Sequence, residues 1–236
     1  MRILWTITGA GHLLRESIEV LDRLSYNHEI TIAYSNAAKE VIQLYGLNEN
    51  IKEIIGRNKN NQIVTEEEQK YSYPFSGKIT HNKYDLVILS PATANTTAKI
   101  VNAIADTLVT NIIAQSGKGQ IPCIVVPVDQ KEGLITTILP PYIDRKKCTL
   151  CNDCVSVCMF DAITPPKIDM KSCTYCGKCE GICKYNAIRI GEEIELYIRK
   201  IDADNAKKLE EIENIKTTSH PYNISVEIQK MIKKES

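Results

Sequence analysis

The sequence predicts an α/β protein: a parallel sheet flanked by helices, interrupted late in the chain by a small cysteine-bearing α+β module. Two observations carry this. Apolar strand-like runs alternate with amphipathic helical segments from residue 2 to about residue 126, the pattern of a parallel sheet that binds ligands at the carboxyl ends of its strands. Eight of the nine cysteines then fall between Cys148 and Cys183, in two copies of the spacing C-x2-C-x2-C-x3-C. A length of 236 residues holds one ordinary domain plus such a module.

Residues 2–8 read as a buried strand, and Thr8-Gly9-Ala10-Gly11 as a tight turn. The helix that follows carries Leu13, Leu14, Ile18, Leu21 and Leu24 at helical spacing, so one face packs on a sheet. Strand, glycine turn and helix start together form an anion site, because free backbone N–H groups and the helix dipole converge on the turn. The dinucleotide fingerprint fails here. Its third glycine would fall at Leu14, and the second strand, residues 29–34, ends in Ser35 and Asn36 where a ribose-binding acid would stand. A mononucleotide is therefore expected, with the Ser35 hydroxyl beside its phosphate.

Residues 37–47 read as a second helix ended by Gly46. Residues 48–84 carry little periodic signal, with a short apolar piece at 51–55, acidic Glu66, Glu67 and Glu68, and an aromatic patch of Tyr71, Tyr73, Pro74 and Phe75. This segment reads either as a lid or oligomer contact or as a surface loop. Residues 85–90 are the clearest central strand, running into Pro91, Ala92, Thr93, Ala94, Asn95 and Thr96 and then a helix at 97–106. Small and hydroxylated residues at that junction let the backbone approach a flat ligand closely, while Asn95 offers both donor and acceptor. A helix at 108–115 and a strand at 121–126 follow, with Cys123 a small buried hydrophobe. Beyond the cysteines, residues 194–198 read as a strand, 202–213 as a charged helix and 224–233 as a last helix. The fold class is thus a flavodoxin-like or Rossmann-like parallel sheet with an inserted ferredoxin-like unit. Its expected divisions are 1–140, 141–191, and 192–236 completing the first domain.

Each cysteine copy folds three thiolates of one tight loop around a cluster face and leaves the fourth to reach a neighbour, the ligand pattern of a two-cluster bacterial ferredoxin. Cys148, Cys151, Cys154 and Cys183 are therefore assigned to one 4Fe-4S cluster, and Cys173, Cys176, Cys179 and Cys158 to a second. Zinc sites present separated C-x2-C pairs and disulfides belong to oxidising compartments, so both fit worse. Met159 and Lys184 replace the proline that commonly follows the fourth cysteine, which removes no ligand.

Lysine plus arginine equals aspartate plus glutamate at 29 each, so charge gives no reason to expect nucleic acid or an anionic membrane. No apolar run approaches a membrane span. The apolar N-terminus meets Gly9, Gly11, His12, Arg15 and Glu16 too soon for a signal peptide. A cytoplasmic location in an anaerobic or strongly reducing cell is expected.

The stretch SPATANTTAKIVNAIAD at residues 90–106, with Thr8–Gly11 and Ser35, resembles the flavoprotein family that includes phosphopantothenoylcysteine decarboxylase and the flavin prenyltransferases. The resemblance implies that Gly9, Ala10, Gly11 and Ser35 hold the phosphate of FMN, and that Ser90, Pro91, Thr93, Ala94, Asn95 and Thr96 bind the rest of the cofactor. It also implies a homo-oligomer built on trimers. Two departures disfavour decarboxylation: Gly77 stands where those enzymes carry a catalytic histidine, with His81 out of register, and Pro127 is followed by Val128, Asp129 and Gln130 where they carry P-x-M-N. The closer likeness, through IADTLVTNIIAQ at 104–115 and PVDQKEG at 127–133, is to archaeal flavoproteins of the dihydromethanopterin reductase group. That resemblance implies a pterin substrate, and the clusters imply an external ferredoxin or similar donor. A pure electron relay is the alternative. For the proton donor the sequence offers Asp129 and His12; His28 and His220 read as surface residues and Lys99 as an ordinary helix charge.

Overall fold

The computed structural model describes residues 1–81 and 84–235. The chain runs β1 (Arg2–Ile7), α1 (Leu14–Leu24), β2 (Glu29–Tyr34), α2 (Asn36–Leu44), α3 (Asn48–Gly56), β3 (Gln62–Thr65), α4 (Pro74–Lys78), β4 (Leu86–Ala92), α5 (Ala94–Val101), α6 (Leu108–Lys118) and β5 (Cys123–Pro127). There follow β6 (Gly133–Ile138), β7 (Tyr142–Ile143), α7 (Asp153–Ser156), β8 (Ile163–Thr164), β9 (Lys167–Ile168), α8 (Lys178–Ile182) and β10 (Ile188–Arg189). The last elements are β11 (Glu193–Ile198), α9 (Lys200–Lys208), β12 (Ile215–Thr217) and α10 (Ile224–Glu235).

Six parallel strands form the main sheet in the order β12-β5-β4-β1-β2-β3. Strand order reverses between β1 and β4, which makes the carboxyl ends of those two strands the switch-point crevice. The central strands are mostly apolar because both their faces are covered, with Thr6, Thr31 and Ser90 the buried polar exceptions. In β1 the alternation is plain: Ile3, Trp5 and Ile7 join α1, α2, α3 and α10 on one side, while Leu4 faces the α5 and α6 side. Cys123 is fully buried, and burial pushes its thiol far above the ordinary range.

Several elements depart from expectation. The segment 48–84 is not irregular, since it supplies α3, the edge strand β3 and α4; the aromatic patch is discussed with the site below. The helix expected at 97–106 starts earlier, capped by Thr93, and stops at Val101, where the chain turns through Ala103 at φ +56. Residues 194–198 do form a strand, but β11 pairs antiparallel with β6, a strand the sequence reading passed over, and not with the main sheet. The segment returns to the main sheet through β12, also unforeseen, beside β5. The helix at 202–213 is α9 plus a short 3-10 turn at Leu209–Glu211. Among the described residues no helix is long and apolar enough to cross a membrane.

The cysteine module hangs from the β6–β11 ribbon, and its two halves repeat with an offset of 25 residues (173 − 148 = 25). Matching positions share backbone geometry: Leu150 and Tyr175, Asn152 and Gly177, and Asp161 and Asn186 all have positive φ. In each half an aspartate carbonyl accepts the first cysteine's N–H, Asp144 from Cys148 at 2.9 Å and Asp169 from Cys173 at 3.0 Å.

Candidate functional site

Three segments meet at the switch point. The N–H and Oγ1 of Thr8 both donate to the Pro91 carbonyl, at 3.2 and 2.8 Å, and the Thr93 N–H donates back to Thr8 Oγ1 at 2.9 Å. Each such bond is worth about 1 kcal/mol net, and Thr8 is buried, so losing its hydroxyl would strand the Thr93 N–H while the Pro91 carbonyl keeps the Thr8 amide. On the other side the Ser35 N–H donates to the Ile7 carbonyl at 3.2 Å. Ser35 and Thr93 are N-caps: their hydroxyls accept from the Ala38 and Thr96 amides, both at 3.2 Å. The starts of α2 and α5 therefore flank the glycine turn, and both dipoles favour negative charge near it.

The turn itself has no room for side chains. A Cβ on Gly9 would lie 2.7 Å from Ala37 Cβ, and one on Gly11 would lie 2.2 Å from Tyr45 Oη. This close approach, two helix starts and a rim of hydroxyls fit a phosphate ester, and Asn95 stands exposed at the start of α5. Ser90 is placed differently. It is fully buried behind the turn, with its Oγ 2.7 Å from Ser17 Oγ, which itself donates to the Leu13 carbonyl at 2.6 Å. Ser90 thus braces β4 against α1.

Asp129 and His12 influence each other electrostatically, and Asp129 reaches the start of α5. Asp129 accepts the Ala94 N–H, yet its carboxyl is held above the usual range, chiefly by burial and then by Asp202, against the opposing pull of His12 and Arg199. Burial lowers His12, opposed by Glu16 and Asp129 and assisted by His220. His220 is therefore half-buried near the site and not a remote surface residue. Arg199 clamps Asp202 with two bonds of 2.7 and 2.8 Å. Because Asp129 is raised, the stability it contributes is present below its unfolded value of 3.8 and is lost as pH rises through its folded value. His12, being lowered, acts oppositely: its contribution is present above 6.5 and lost as pH falls through its folded value. Asp129→Asn is accordingly expected to raise the melting temperature at about pH 8, with the gain falling away only as pH drops through the folded value toward 3.8. A gain that grows on acidification, read by calorimetry, would contradict the environment assigned to Asp129.

The eight module cysteines line two hollows. One is lined by Cys148, Cys151, Cys154 and Cys183, the other by Cys158, Cys173, Cys176 and Cys179. Cys183 thus lies with the first copy's leading three cysteines and Cys158 with the second's. Four thiols per hollow, three of them from one C-x2-C-x2-C stretch, fit the ligand pattern of a 4Fe-4S cluster. The fourth cysteines are matched: the Ala162 N–H donates to Cys158 Sγ and the Ala187 N–H to Cys183 Sγ, each at 3.3 Å. Burial pushes the Cys179 thiol up to about 11. Burial also opposes ionisation of Cys183, but the amides of Ala187, Tyr185 and Ile188 outweigh it and hold that thiol below its ordinary value.

The module touches the α/β domain through Tyr175, between Cys173 and Cys176. Its Oη donates to the Leu44 carbonyl at 2.6 Å, and the Arg15 guanidinium lies 4.5 Å from its ring centroid. Gly46, at φ +67, makes room, since a Cβ there would lie 2.6 Å from Tyr175 Cε2. Arg15 also donates to the Tyr45 carbonyl at 3.0 Å, and Tyr45 Oη donates to the Ile138 carbonyl in β6 at 2.7 Å. Arg15, Tyr45 and Tyr175 had no sequence signal, because their roles arise from partners 30 to 131 residues away.

A parallel α/β domain with a mononucleotide-type crevice, joined to a module with two cysteine-lined hollows, defines a two-part redox protein. The Flavoprotein family matches residues 1–164 and the 4Fe-4S binding domain family residues 166–189, so the first cysteine copy falls within the flavoprotein match. Dihydromethanopterin reductase (acceptor) from Methanocaldococcus jannaschii is 48% identical over 95% of this chain and 94% of that protein. The protein of the same name from Methanosarcina mazei is 44% identical over 65% of each. Burkholderia xenovorans DmrB, solved in complex with FMN and described as a cubic protein cage for redox transfer, superposes with a TM-score of 0.65 at 25% identity, covering 99% of this chain and 96% of that one. The chain belongs to the Flavoprotein family and, within it, to the dihydromethanopterin reductase (acceptor) group.

Proposed function

We propose that this chain is an oxidoreductase that takes electrons from a reduced ferredoxin or similar one-electron donor, through two 4Fe-4S clusters and FMN, to a pterin such as dihydromethanopterin. The observation that carries the proposal is the pair of four-cysteine hollows on a module docked to a mononucleotide-type crevice of the same chain. Clusters carry single electrons while FMN, when bound, exchanges single electrons for hydride, so the two together suit the addition of two electrons and two protons across one C=N bond. Gly9, Ala10, Gly11 and Ser35 would bind the FMN phosphate, and Pro91, Thr93, Ala94, Asn95 and Thr96 the ribityl and ring portions. Asp129, held protonated more readily than an ordinary carboxyl and hydrogen-bonded at the start of α5, would donate the proton, with His12 beside it.

An enzyme needs a reachable flavin face, whereas a relay does not. Tyr73 and Phe75 pack against the core on the α5 and α6 side of the sheet, and Tyr73 Oη donates to the Asp106 carbonyl at 3.1 Å. Their packing on that core supports the enzyme reading; the Tyr71 side chain lies outside the described residues. Assembly on trimers would complete a site that one chain leaves open at Asn95. The test is anaerobic: reduce the purified protein, add dihydropterin, and follow flavin and cluster absorbance. Reoxidation of both with formation of tetrahydropterin is expected. A flavin that stays reduced until an acceptor protein drains it would make the chain a relay.

A further inference from the structure

The two halves of the cysteine module are alike in backbone and ligands but differ in what they touch. At the position two residues after the first cysteine, one half has Leu150 and the other Tyr175, both left-handed at φ +60 and +58. Leu150 is 56% exposed, whereas Tyr175 is clamped under Arg15, against Gly46 and onto the Leu44 carbonyl. From there the contacts are continuous. Arg15 holds the Tyr45 carbonyl, and the Tyr45 hydroxyl lies where a Gly11 side chain would be, against the proposed phosphate turn.

We infer that this asymmetry sets the order of electron flow: the cluster of Cys173, Cys176, Cys179 and Cys158 is the one that reduces the flavin, and Tyr175 with Arg15 is the positioning contact that holds it there. The cluster of Cys148, Cys151, Cys154 and Cys183 lies on the other half and receives electrons first. This rests on the reductase reading above. Each transfer moves one electron, leaving the first cluster oxidised and the second reduced, then the second oxidised; two such passages with one proton reduce the flavin by two electrons. Tyr175 and Arg15 neither gain nor lose electrons, because their task is geometric.

The experiment uses the holoprotein, with iron and flavin content measured first. Wild type, Tyr175→Leu, Tyr175→Phe, Arg15→Ala and Leu150→Ala are mixed anaerobically with reduced ferredoxin, the donor class proposed above, and cluster and flavin absorbance are followed separately. Tyr175→Leu copies the other half of the module, so its fold is already tolerated there. Cluster reduction is expected to keep the wild-type rate in every variant. Flavin reduction should slow in Tyr175→Leu and Arg15→Ala by roughly tenfold to a hundredfold, the scale on which misplacing reaction partners by about 1 Å acts. Tyr175→Phe, which keeps the ring but loses the bond to Leu44, should fall between, and Leu150→Ala should match wild type. Amide exchange at residues 44–46 should rise in Tyr175→Leu, reporting undocking independently of turnover.

A Tyr175→Leu protein that loads iron and flavin and reduces its flavin at the wild-type rate overturns the inference while leaving the reductase reading intact. Slowing in Leu150→Ala alone overturns it too, by reversing the order. A wild type whose flavin never follows its clusters overturns the reductase reading, and this inference with it.

Discussion

Cys158→Ser is expected to cost the chain the cluster of the second cysteine copy, not of the first, in which Cys158 sits. Cys158 lines the same hollow as Cys173, Cys176 and Cys179, and its neighbours Cys148, Cys151 and Cys154 line the other with Cys183. Iron should fall from about eight to about four atoms per chain, as expected when one of two 4Fe-4S clusters fails to assemble. Cys183→Ser should lose the opposite cluster, so the two variants should retain reduced clusters with different paramagnetic resonance spectra. If both leave the same spectrum, or if Cys158→Ser keeps the cluster of Cys173, the crossed ligand sets are wrong.

Gly9→Ala should empty the flavin crevice without touching the iron. The added Cβ would sit 2.7 Å from Ala37 Cβ and 3.2 Å from the Ala37 carbonyl carbon, so the first turn of α2 must move away from the loop it flanks. The α2 wall of the proposed phosphate site is then displaced. A loss of FMN affinity of at least about tenfold, or about 1.4 kcal/mol, is expected in a fluorescence titration of the stripped protein. Gly77→Ala, whose Cβ meets nothing within 4 Å, is the matched control and should bind FMN as wild type does. Equal affinity in Gly9→Ala would remove the turn from the cofactor site.

What the sequence disclosed followed from how local each constraint is. The cysteine spacing is set by ligand geometry within a dozen residues, so a 4Fe-4S binding unit was legible from it. The strands β1, β2, β4 and β5 were legible because both faces are buried and the runs are dominated by apolar residues. The edge strands β3 and β12 were not. They span four and three residues in polar surroundings, and only pairing with β2 and β5 makes them strands. β6 (GLITTI) carried a β-branched signal, but its partner β11 lies beyond the whole module. Ser90 shows the opposite limit. It sits inside a motif that resembles a cofactor segment, and only packing against Ser17 shows that its hydroxyl faces inward.

The ribbon that carries the module also makes it portable. Ile138 and Glu193 are directly paired, so the chain leaves the α/β domain and comes back at adjacent points on two strands. Everything between them is, in topological terms, an enlarged hairpin loop, and a two-residue turn would close the same ribbon. The parallel sheet, the glycine turn and β12 all lie outside that loop. A redox module attached this way is gained or lost in a single insertion or deletion without re-threading the domain that hosts it, leaving the crevice chemistry free to be coupled to a different electron source.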